Sequence, residues 1–498
     1  MDWSWIHQGG LVLVGTVLLH IGVSLNILLT KRTQPSEALF WLLLVVLFPF
    51  GGIIFYLLFG IVRLKHAQKK VLQLQTRMKE DPGKYFGPAL AALQQSLKGF
   101  VPPEAIRQKP HNRMLDRVFS DYPAYDGNHV EMLHDGVTAY PRMLEDIAKA
   151  QHCIRMQSFI LMSDKVGRAF MDALEERARA GVDVKVIFDS FGSLKSYFSH
   201  YFRRLLRRKQ ANFKIRAFSP FHLVAPWLFQ LRNHRKLLLI DGRIAYTGGI
   251  NISDENERLT SVPTNRRIHD LHARIEGPAV SQFAESFFID WSYTTRCKWI
   301  EGVGPYDFPL PERKGDSVVR VLASGPGCNY EGTRRLFFAA AMSAQKSLWI
   351  MTPYFVPGPE FINLLCLTAA RGVDVRIIVP ANNNHFFVSW AAQNFYSTLL
   401  EAGVGIYNKH GLFSHIKALV VDGRSWGFMG SSNCDSRSFR LNFELDFCFE
   451  EGAFPERMFR QFLGEMANST PVTLDEVQKK SLGHQLGENI CALFTPIL

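Results

Sequence analysis

The sequence predicts an α/β protein: an N-terminal transmembrane helical hairpin, then two α/β/α halves related by a pseudo-twofold axis, with the active site at their interface. Three observations carry this expectation. Residues 11–29 (LVLVGTVLLHIGVSLNILL) and 38–60 (ALFWLLLVVLFPFGGIIFYLLFG) hold no charged residue. From about Gly127 onward, apolar strand-like runs alternate with amphipathic helical stretches. The phrase RARAGVDVKVIFD (177–189) returns as TAARGVDVRIIVP (368–380), which marks an internal duplication.

Each apolar run is long enough to span a bilayer, since 23 residues at about 1.5 Å each reach roughly 34 Å against a hydrocarbon core of about 30 Å. A secretory signal is disfavoured because MDWSWIHQGG carries no Lys or Arg and a second apolar run follows. Pro49-Phe50-Gly51-Gly52 in the second run favours a kinked or re-entrant segment. His20 and Asn26 are polar residues in the first run, with an interhelical hydrogen bond or an interfacial position as their simplest role. Lys31 and Arg32 occupy the turn, whereas Arg63, Lys65, Lys69, Lys70, Arg77 and Lys79 follow the second run, so the positive-inside rule places the bulk of the chain in the cytoplasm.

With 498 residues, 47% hydrophobic and 20% charged, the chain has material for about three units and is not globally disordered. Lys+Arg 57 against Asp+Glu 45 gives a formal +12. That balance points to a polyanionic partner: nucleic acid, an anionic lipid surface or a phosphate-bearing substrate. Seven cysteines without a C-x-x-C pair argue against a disulfide framework or zinc ribbon.

In the first half the pattern predicts strands over 129–135, 153–161 and 183–191, with helices over 140–150 and 167–180. The second half repeats the order, with strands over 317–324, 348–356 and 374–381 and helices over 332–344 and 360–371. GVGPYDFPLPERKGDS (302–317) has the composition of a linker. The expected organisation is therefore a hairpin at 1–62 (helices about 11–29 and 38–60), a basic juxtamembrane segment at 63–126, one half at 127–310 and the other at 311–498.

Each half carries His-x-Lys-x4-Asp: His234, Lys236 and Asp241, then His415, Lys417 and Asp422, all three pairs 181 residues apart. At ordinary residue usage the 16 histidines would produce about 0.04 such matches by chance, so the repetition is meaningful. Strand alternation puts His234 and Lys236 on one face and Arg235 on the other. A neutral imidazole is a nucleophile toward phosphorus and an ammonium neutralises a phosphate oxygen, so these six residues are the expected catalytic set for phosphodiester chemistry. One copy is incomplete, because exchange at a phosphodiester needs a nucleophile and an acid for the leaving alkoxide. Gly248-Gly249-Ile250-Asn251 and Gly430-Ser431-Ser432-Asn433 allow close phosphate approach, with Gly249, Asn251, Ser431 and Asn433 as expected phosphate binders. Asp270 and Glu444 are expected to orient the histidines, and Asp241 and Asp422 also suit a role in ordering the turn after each strand. No metal is implied, since a lysine beside each histidine opposes a cation.

The duplicated H-x-K-x4-D followed by G-[SG]-x-N resembles the phospholipase D superfamily, and within it the bacterial cardiolipin synthases. The resemblance covers nearly the whole chain, including PFGGIIFYLLFG, SGPG (324–327) and TPYFVP (352–357). It implies two phospholipase D-like halves and a phosphatidyltransferase that joins two phosphatidylglycerol molecules into cardiolipin and glycerol through a phosphohistidine, without cofactor. It further implies His234 as nucleophile and His415 as general acid then base, with Lys236, Lys417, Asn251 and Asn433 holding the phosphate. Two departures stand out: Gly249 occupies a position where the family often has Ser, and Gly430 comes eight residues after Asp422 where Gly248 comes seven after Asp241. The extra residue leaves open how Ser431, Ser432 and Asn433 align with the first copy.

The expected partners are phosphatidylglycerol and an anionic membrane surface, in a bacterial inner membrane with multi-pass topology. FSPFHLVAPWLFQL (218–231), with Phe218, Phe221, Trp227 and Phe229, suits either the membrane interface or core packing; Arg203, Arg204, Arg207, Arg208 and Lys209 suit anionic headgroups. A hydrolytic phospholipase D uses the same residues with water as acceptor. A nucleic-acid phosphodiesterase fits the charge but leaves the apolar runs unexplained, so no nucleic acid is expected.

Overall fold

The computed structural model describes residues 4–31, 35–60, 69, 71–76, 88–207, 211–219, 230–257, 262–297, 302–325, 327 and 329–495. The chain forms two compact units, one within Met1–Leu64 and a larger one holding Lys65–Pro220 and Leu231–Pro496.

In the smaller unit, helix Ser4–Thr30 is the one helix among the described residues long and apolar enough to cross a bilayer. The second apolar run is not the single helix expected over 38–60. It forms helices Pro35–Leu47 and Pro49–Phe55 and a π turn, Tyr56–Gly60. Pro49 has no N–H to continue the ladder and its ring crowds the preceding turn; Phe48 leaves the helical region, at φ −127° and ψ 77°. A Cβ at Gly52 would run into the Leu44 carbonyl, so the chain turns back on itself at this point. In the first run, Asn26 accepts from the Tyr56 hydroxyl at 2.8 Å, and His20 Nδ1 bonds the Thr16 carbonyl within its own helix at 2.8 Å. Lys31 and Glu37 form a buried ion pair across the turn at 2.7 Å.

The larger unit is organised by one fifteen-stranded sheet. Its first-half strands are β1 (Tyr125–His134), β2 (Cys153–Ser158), β3 (Asp183–Asp189), β4 (Phe213–Phe218), β5 (Leu237–Ile240), β6 (Ile244–Gly248) and β8 (Leu271–Glu276), with a short β7 (Ile268–His269) outside it. The second half supplies β9 (Ser317–Ser324), β10 (Ser347–Met351), β12 (Asp374–Pro380), β13 (Gly405–Lys409), β15 (Ala418–Val421), β16 (Trp426–Gly430), β18 (Glu444–Glu450) and β19 (Ser469–Pro471). The two-residue strands β11 (Phe355–Val356), β14 (Phe413–Ser414) and β17 (Cys434–Asp435) lie outside the sheet. From the centre outward, β1-β8-β6-β5-β2-β3-β4 is matched by β9-β18-β16-β15-β10-β12-β13, with β19 added at one edge. β1 and β9 pair antiparallel, Tyr125 opposite Val319, and make the two halves one sheet.

Alternation along the strands sorts side chains between two helical layers. Leu237 and Leu239 join Phe283, Phe287 and Phe288 of helix Val280–Thr295, together with Phe454 and Phe462 of helix Phe454–Ala467, in a core that runs across both halves. Leu238 and Ile240 face the opposite layer, where helices Asp135–Lys149 and Lys165–Arg179 cover the first half. Helices Gly332–Ser343 and Pro359–Ala370 cover the second in the same way. The linker-like stretch packs closely: Asp307 receives a bidentate bond from Arg155 at 2.8 Å and 2.8 Å, with both residues buried.

Asp241 and Asp422 close the β5–β6 and β15–β16 turns. Each sits at φ 50°, a conformation that Asp tolerates better than most residues, followed by a glycine at positive φ. Asp241 accepts the main-chain N–H groups of Gln151, His152 and Cys153 at 2.8–2.9 Å, and Asp422 those of Gln345, Lys346 and Ser347 at 2.6–3.0 Å. Charge-assisted bonds of this kind contribute about 1.5–3 kcal/mol. Asp241→Asn and Asp422→Asn are each expected to lower the thermal midpoint by several degrees while turnover per folded molecule falls by less than about threefold. Calorimetry alongside an active-site-normalised rate checks this.

Candidate active site

The two motif histidines are each carried into the opposite half by main-chain pairing. Asn233 bridges Phe443, the His234 N–H donates to the Phe443 carbonyl at 2.9 Å, and Phe443 donates back to Arg232 at 2.9 Å. Likewise β14 pairs with β7, and the His415 N–H donates to the His269 carbonyl at 2.7 Å. Phe443 precedes Glu444 and His269 precedes Asp270, so each histidine lies beside the other half's carboxylate.

The side chains follow suit. His234 Nδ1 donates to Glu444 Oε2 at 2.9 Å, and His415 Nδ1 donates to Asp270 Oδ2 at 2.7 Å. These donor assignments follow from the carboxylates, which only accept. Both Nε2 atoms are thereby left with their lone pairs. Lys236 Nζ donates to the His234 carbonyl at 2.7 Å, and Lys417 Nζ to the His415 carbonyl at 2.5 Å, so each ammonium is folded beside its own histidine with further N–H groups to offer.

All six groups are nearly fully buried, and burial dominates their protonation. It pushes Lys236 down to about 7, helped by the Lys417 charge; it pushes Lys417 down to about 8, against the pull of Asp270 and Glu444. Burial, aided by the lysines, holds His415 well below the ordinary histidine value. Burial also lowers His234, although Glu444 opposes it. Asp270 is driven up to about 7 by burial. Burial would raise Glu444 too, yet His234, Lys236 and the Ser431 hydroxyl outweigh it and keep that carboxyl below the usual range. Two neutral imidazoles, two under-protonated lysines and one firm carboxylate make a site short of an anion.

Arg235, on the opposite face as strand alternation predicts, binds the Glu444 carbonyl (2.9 Å), the Ser324 carbonyl (2.7 Å), Ser286 (2.8 Å) and the buried Asp290 (2.8 Å). It ties the two halves together directly behind the histidines.

The remaining expected site residues sort differently. Asp241 and Asp422 do not join the histidines: their carboxylates are engaged by the turn amides described above, at the far end of strands that carry them about 20 Å along the chain from His234 and His415. That corrects their expected catalytic role. Ser431 also departs from its expected phosphate contact, because its hydroxyl donates to Glu444 Oε2 at 2.5 Å and accepts from the Leu445 N–H at 2.9 Å. Gly249 stands at the matching place in the first half, where a Cβ would run into the Asp270 carboxylate; its contribution is room, not a phosphate donor. Asn251 Oδ1 accepts from the Ile160 N–H at 3.3 Å, whereas the Asn433 N–H donates to Ser438 Oγ at 3.2 Å and its buried Oδ1 has no hydrogen-bond partner among the described residues.

The alignment of the two glycine-serine segments is settled by register. Gly248 lies opposite His272 and Gly430 opposite Asp446, so the residue added after Asp422 is absorbed in the turn, and Gly249, Ile250 and Asn251 correspond to Ser431, Ser432 and Asn433.

Sequence reasoning missed the aromatic walls. Phe159 meets the His234 ring edge-on at 4.8 Å and lies 5.4 Å from Lys236 Nζ; Tyr354 packs edge-on against His415 at 6.3 Å. Both follow strands, β2 and β10, that stop earlier than expected, at Ser158 and Met351. Of the aromatic stretch before His234, Phe218 is buried and residues 220–229 lie outside the described residues, as do Arg208 and Lys209.

The family model described as "Cardiolipin synthase, PLD-like domain" matches residues 143–291 and 338–465, and a phospholipase D-nuclease N-terminal model matches 18–60. Cardiolipin synthase 1 of Bacillus anthracis is 32% identical over 96% of this chain and 92% of its own length. The major cardiolipin synthase of Bacillus subtilis is 31% identical over 97% and 100%. Among solved structures, a phosphatidylserine synthase of Haemophilus influenzae shares the fold, with a TM-score of 0.60 at 14% identity over 78% of this chain and 99% of that one. With half the chain inside the family model and relatives of this similarity along nearly its whole length, the chain belongs to the phospholipase D-like cardiolipin synthase family.

Proposed function

We infer that this chain is a phosphatidyltransferase that joins two phosphatidylglycerol molecules into cardiolipin and glycerol. The crossed pairs His234–Glu444 and His415–Asp270 carry the chemical part of this reading, because they leave two buried imidazoles with their Nε2 lone pairs, each with a lysine folded beside it. The full-length similarity to named cardiolipin synthases carries the choice of lipid.

In the proposed reaction, His234 Nε2 attacks the phosphorus of one phosphatidylglycerol. The bond from phosphorus to the headgroup glycerol breaks, and protonated His415 gives its proton to the departing glycerol oxygen. His415, now neutral, takes the proton of a headgroup hydroxyl on the second phosphatidylglycerol; that oxygen attacks phosphorus and displaces His234. One phosphodiester replaces another, so no nucleotide-activated donor is required. Lys236 and Lys417 offset the charge developing on the non-bridging oxygens. The anion in turn favours the protonated forms of His415 and both lysines, which burial alone disfavours.

The active site so read lies between the halves, with the N-terminal apolar helices as membrane anchor and the larger unit on the cytoplasmic side of a bacterial inner membrane. On helix His200–Arg207, Phe202 and Leu205 are buried while Arg203, Arg204 and Arg207 are exposed. Each such charge adds about 1 kcal/mol of attraction to an anionic surface.

Vesicles of phosphatidylglycerol alone are expected to yield cardiolipin and glycerol in equal amounts. His234→Ala and His415→Ala should each lower this by more than about a thousandfold. Release of phosphatidic acid and glycerol without cardiolipin would replace transfer by hydrolysis. A phosphorylated imidazole is expected at His234, trapped from the His415→Asn variant and located by mass spectrometry. Because Lys236 and Lys417 sit at about 7 and about 8 before substrate binds, their charge fades as pH rises through this window. The KM for phosphatidylglycerol should therefore climb between pH 7 and 9, by about tenfold per unit once Lys236 is neutral and by up to about a hundredfold per unit once both lysines are. Initial rates across that range test it.

A further inference from the structure

We propose that Ser431, Ser438 and Asn442 are positioning residues that lock Glu444 as a permanent carboxylate under His234, so that the two histidine–carboxylate pairs have unequal charge and unequal tasks. The inference rests on the reading of the site given above and extends it to residues behind the carboxylates.

Glu444 is fully enclosed, and each of its oxygens accepts two hydrogen bonds. Oε2 takes His234 Nδ1 at 2.9 Å and Ser431 Oγ at 2.5 Å; Oε1 takes Ser438 Oγ at 2.8 Å and Asn442 Nδ2 at 3.1 Å. Asp270 is equally buried but receives only His415 Nδ1 at 2.7 Å on Oδ2 and the Leu271 N–H at 2.8 Å on Oδ1. Among the described residues the first half has no counterpart to the three extra donors. Gly249 stands where Ser431 does, Ile268 where Asn442 does, and Asn256, which stands where Ser438 does, is bonded by Ser253 Oγ at 3.1 Å.

The difference bears on chemistry because donors favour the charged form of a carboxyl group. A phosphorylated His234 keeps its Nδ1–H and carries positive charge on the ring, which a fixed carboxylate stabilises without rearrangement. His415 has the opposite requirement, to give and regain a proton, and its partner is the loosely held carboxyl. The charges that act on Glu444 are the cations His234, Lys236 and Lys417 and the carboxylates Asp435 and Asp446. All of these stay in place when the three donors are changed.

The test uses the full chain with Ser438→Ala and Asn442→Leu, singly and together, and Ser438→Thr as the variant that keeps the hydroxyl. Glycerol release from phosphatidylglycerol vesicles is followed from pH 5 to 9. Exchange of the imidazole C2 hydrogens, read by mass spectrometry, gives the titration midpoints of His234 and His415 separately. Since ionised Glu444 raises His234, the double variant is expected to lower the His234 midpoint and leave that of His415 in place. The acid limb of kcat, where protonation of Glu444 removes the carboxylate under His234, should move up by about one pH unit, with KM unmoved and Ser438→Thr restoring both. A natively melting double variant whose His234 midpoint is unchanged, or whose two histidines shift together, overturns the proposal. If the double variant fails to fold, Asn442→Leu alone is held to the same criteria. Glycerol is released whether the acceptor is lipid or water, and C2 exchange needs no turnover, so failure of the lipid-transfer reading remains distinguishable from failure of this one.

Discussion

Each catalytic imidazole is held by a carboxylate from the other half, and most of the larger unit can be understood as the means of keeping that crossing exact to a few tenths of an ångström. A hydrogen bond of 2.7–2.9 Å between buried groups tolerates little drift. The main chain enforces it one residue earlier, through His234 to Phe443 and His415 to His269. Behind it, Arg235 reaches the Glu444 and Ser324 carbonyls as well as Asp290. Removing one partner from a buried ionic cluster costs about 3–5 kcal/mol, so the halves are fixed by the same groups that set the histidines. The continuous sheet through β1 and β9 makes a half on its own an open edge with a histidine lacking its carboxylate.

The lysines impose the second constraint. Two ammoniums directed into one buried cleft repel each other, and both lose affinity for protons as a result of burial. A phosphodiester relieves this by supplying the missing negative charge, which makes binding and protonation a single linked event. Selectivity for anionic headgroups then follows from electrostatics before any detailed contact is considered. The aromatic edges of Phe159 and Tyr354 keep the histidines from solvent and so keep the effective dielectric low.

Duplication, strand–helix rhythm and the shared face of histidine and lysine were legible in the sequence because they are periodic, and periodicity survives without knowledge of tertiary contacts. Arg235 fell on the opposite face for the same reason. The crossing of the carboxylates was not legible: Asp270 and Glu444 were visible as candidates, but which histidine each one serves depends on how the halves meet. For Asp241 and Asp422 the sequence left two roles open, chemistry beside a histidine or the ordering of a turn, and here each carboxylate caps three amides in a turn. Ser431 misled, its hydroxyl being directed at Glu444. In the second apolar run the break at Phe48 was foreshadowed by Pro49, but the turning back at Gly52 depends on the close approach to Leu44, which composition does not encode.

A frame this symmetric raises the question of how two identical histidines come to do different work. The overall exchange is nearly symmetric as well, one phosphodiester for another, so the substrate supplies no strong bias. The fold does not supply it either: strand order, register and the two lysines repeat, and the single added residue in the second copy is spent in a turn. What differs is the first layer behind the carboxylates. A glycine beside Asp270 makes room and gives nothing to bind, while a serine in the same place, joined by Ser438 and Asn442, saturates Glu444. Duplication thus accounts for the presence of two histidines, and a few hydroxyl and amide groups that differ between the copies account for the proposed division of labour between them.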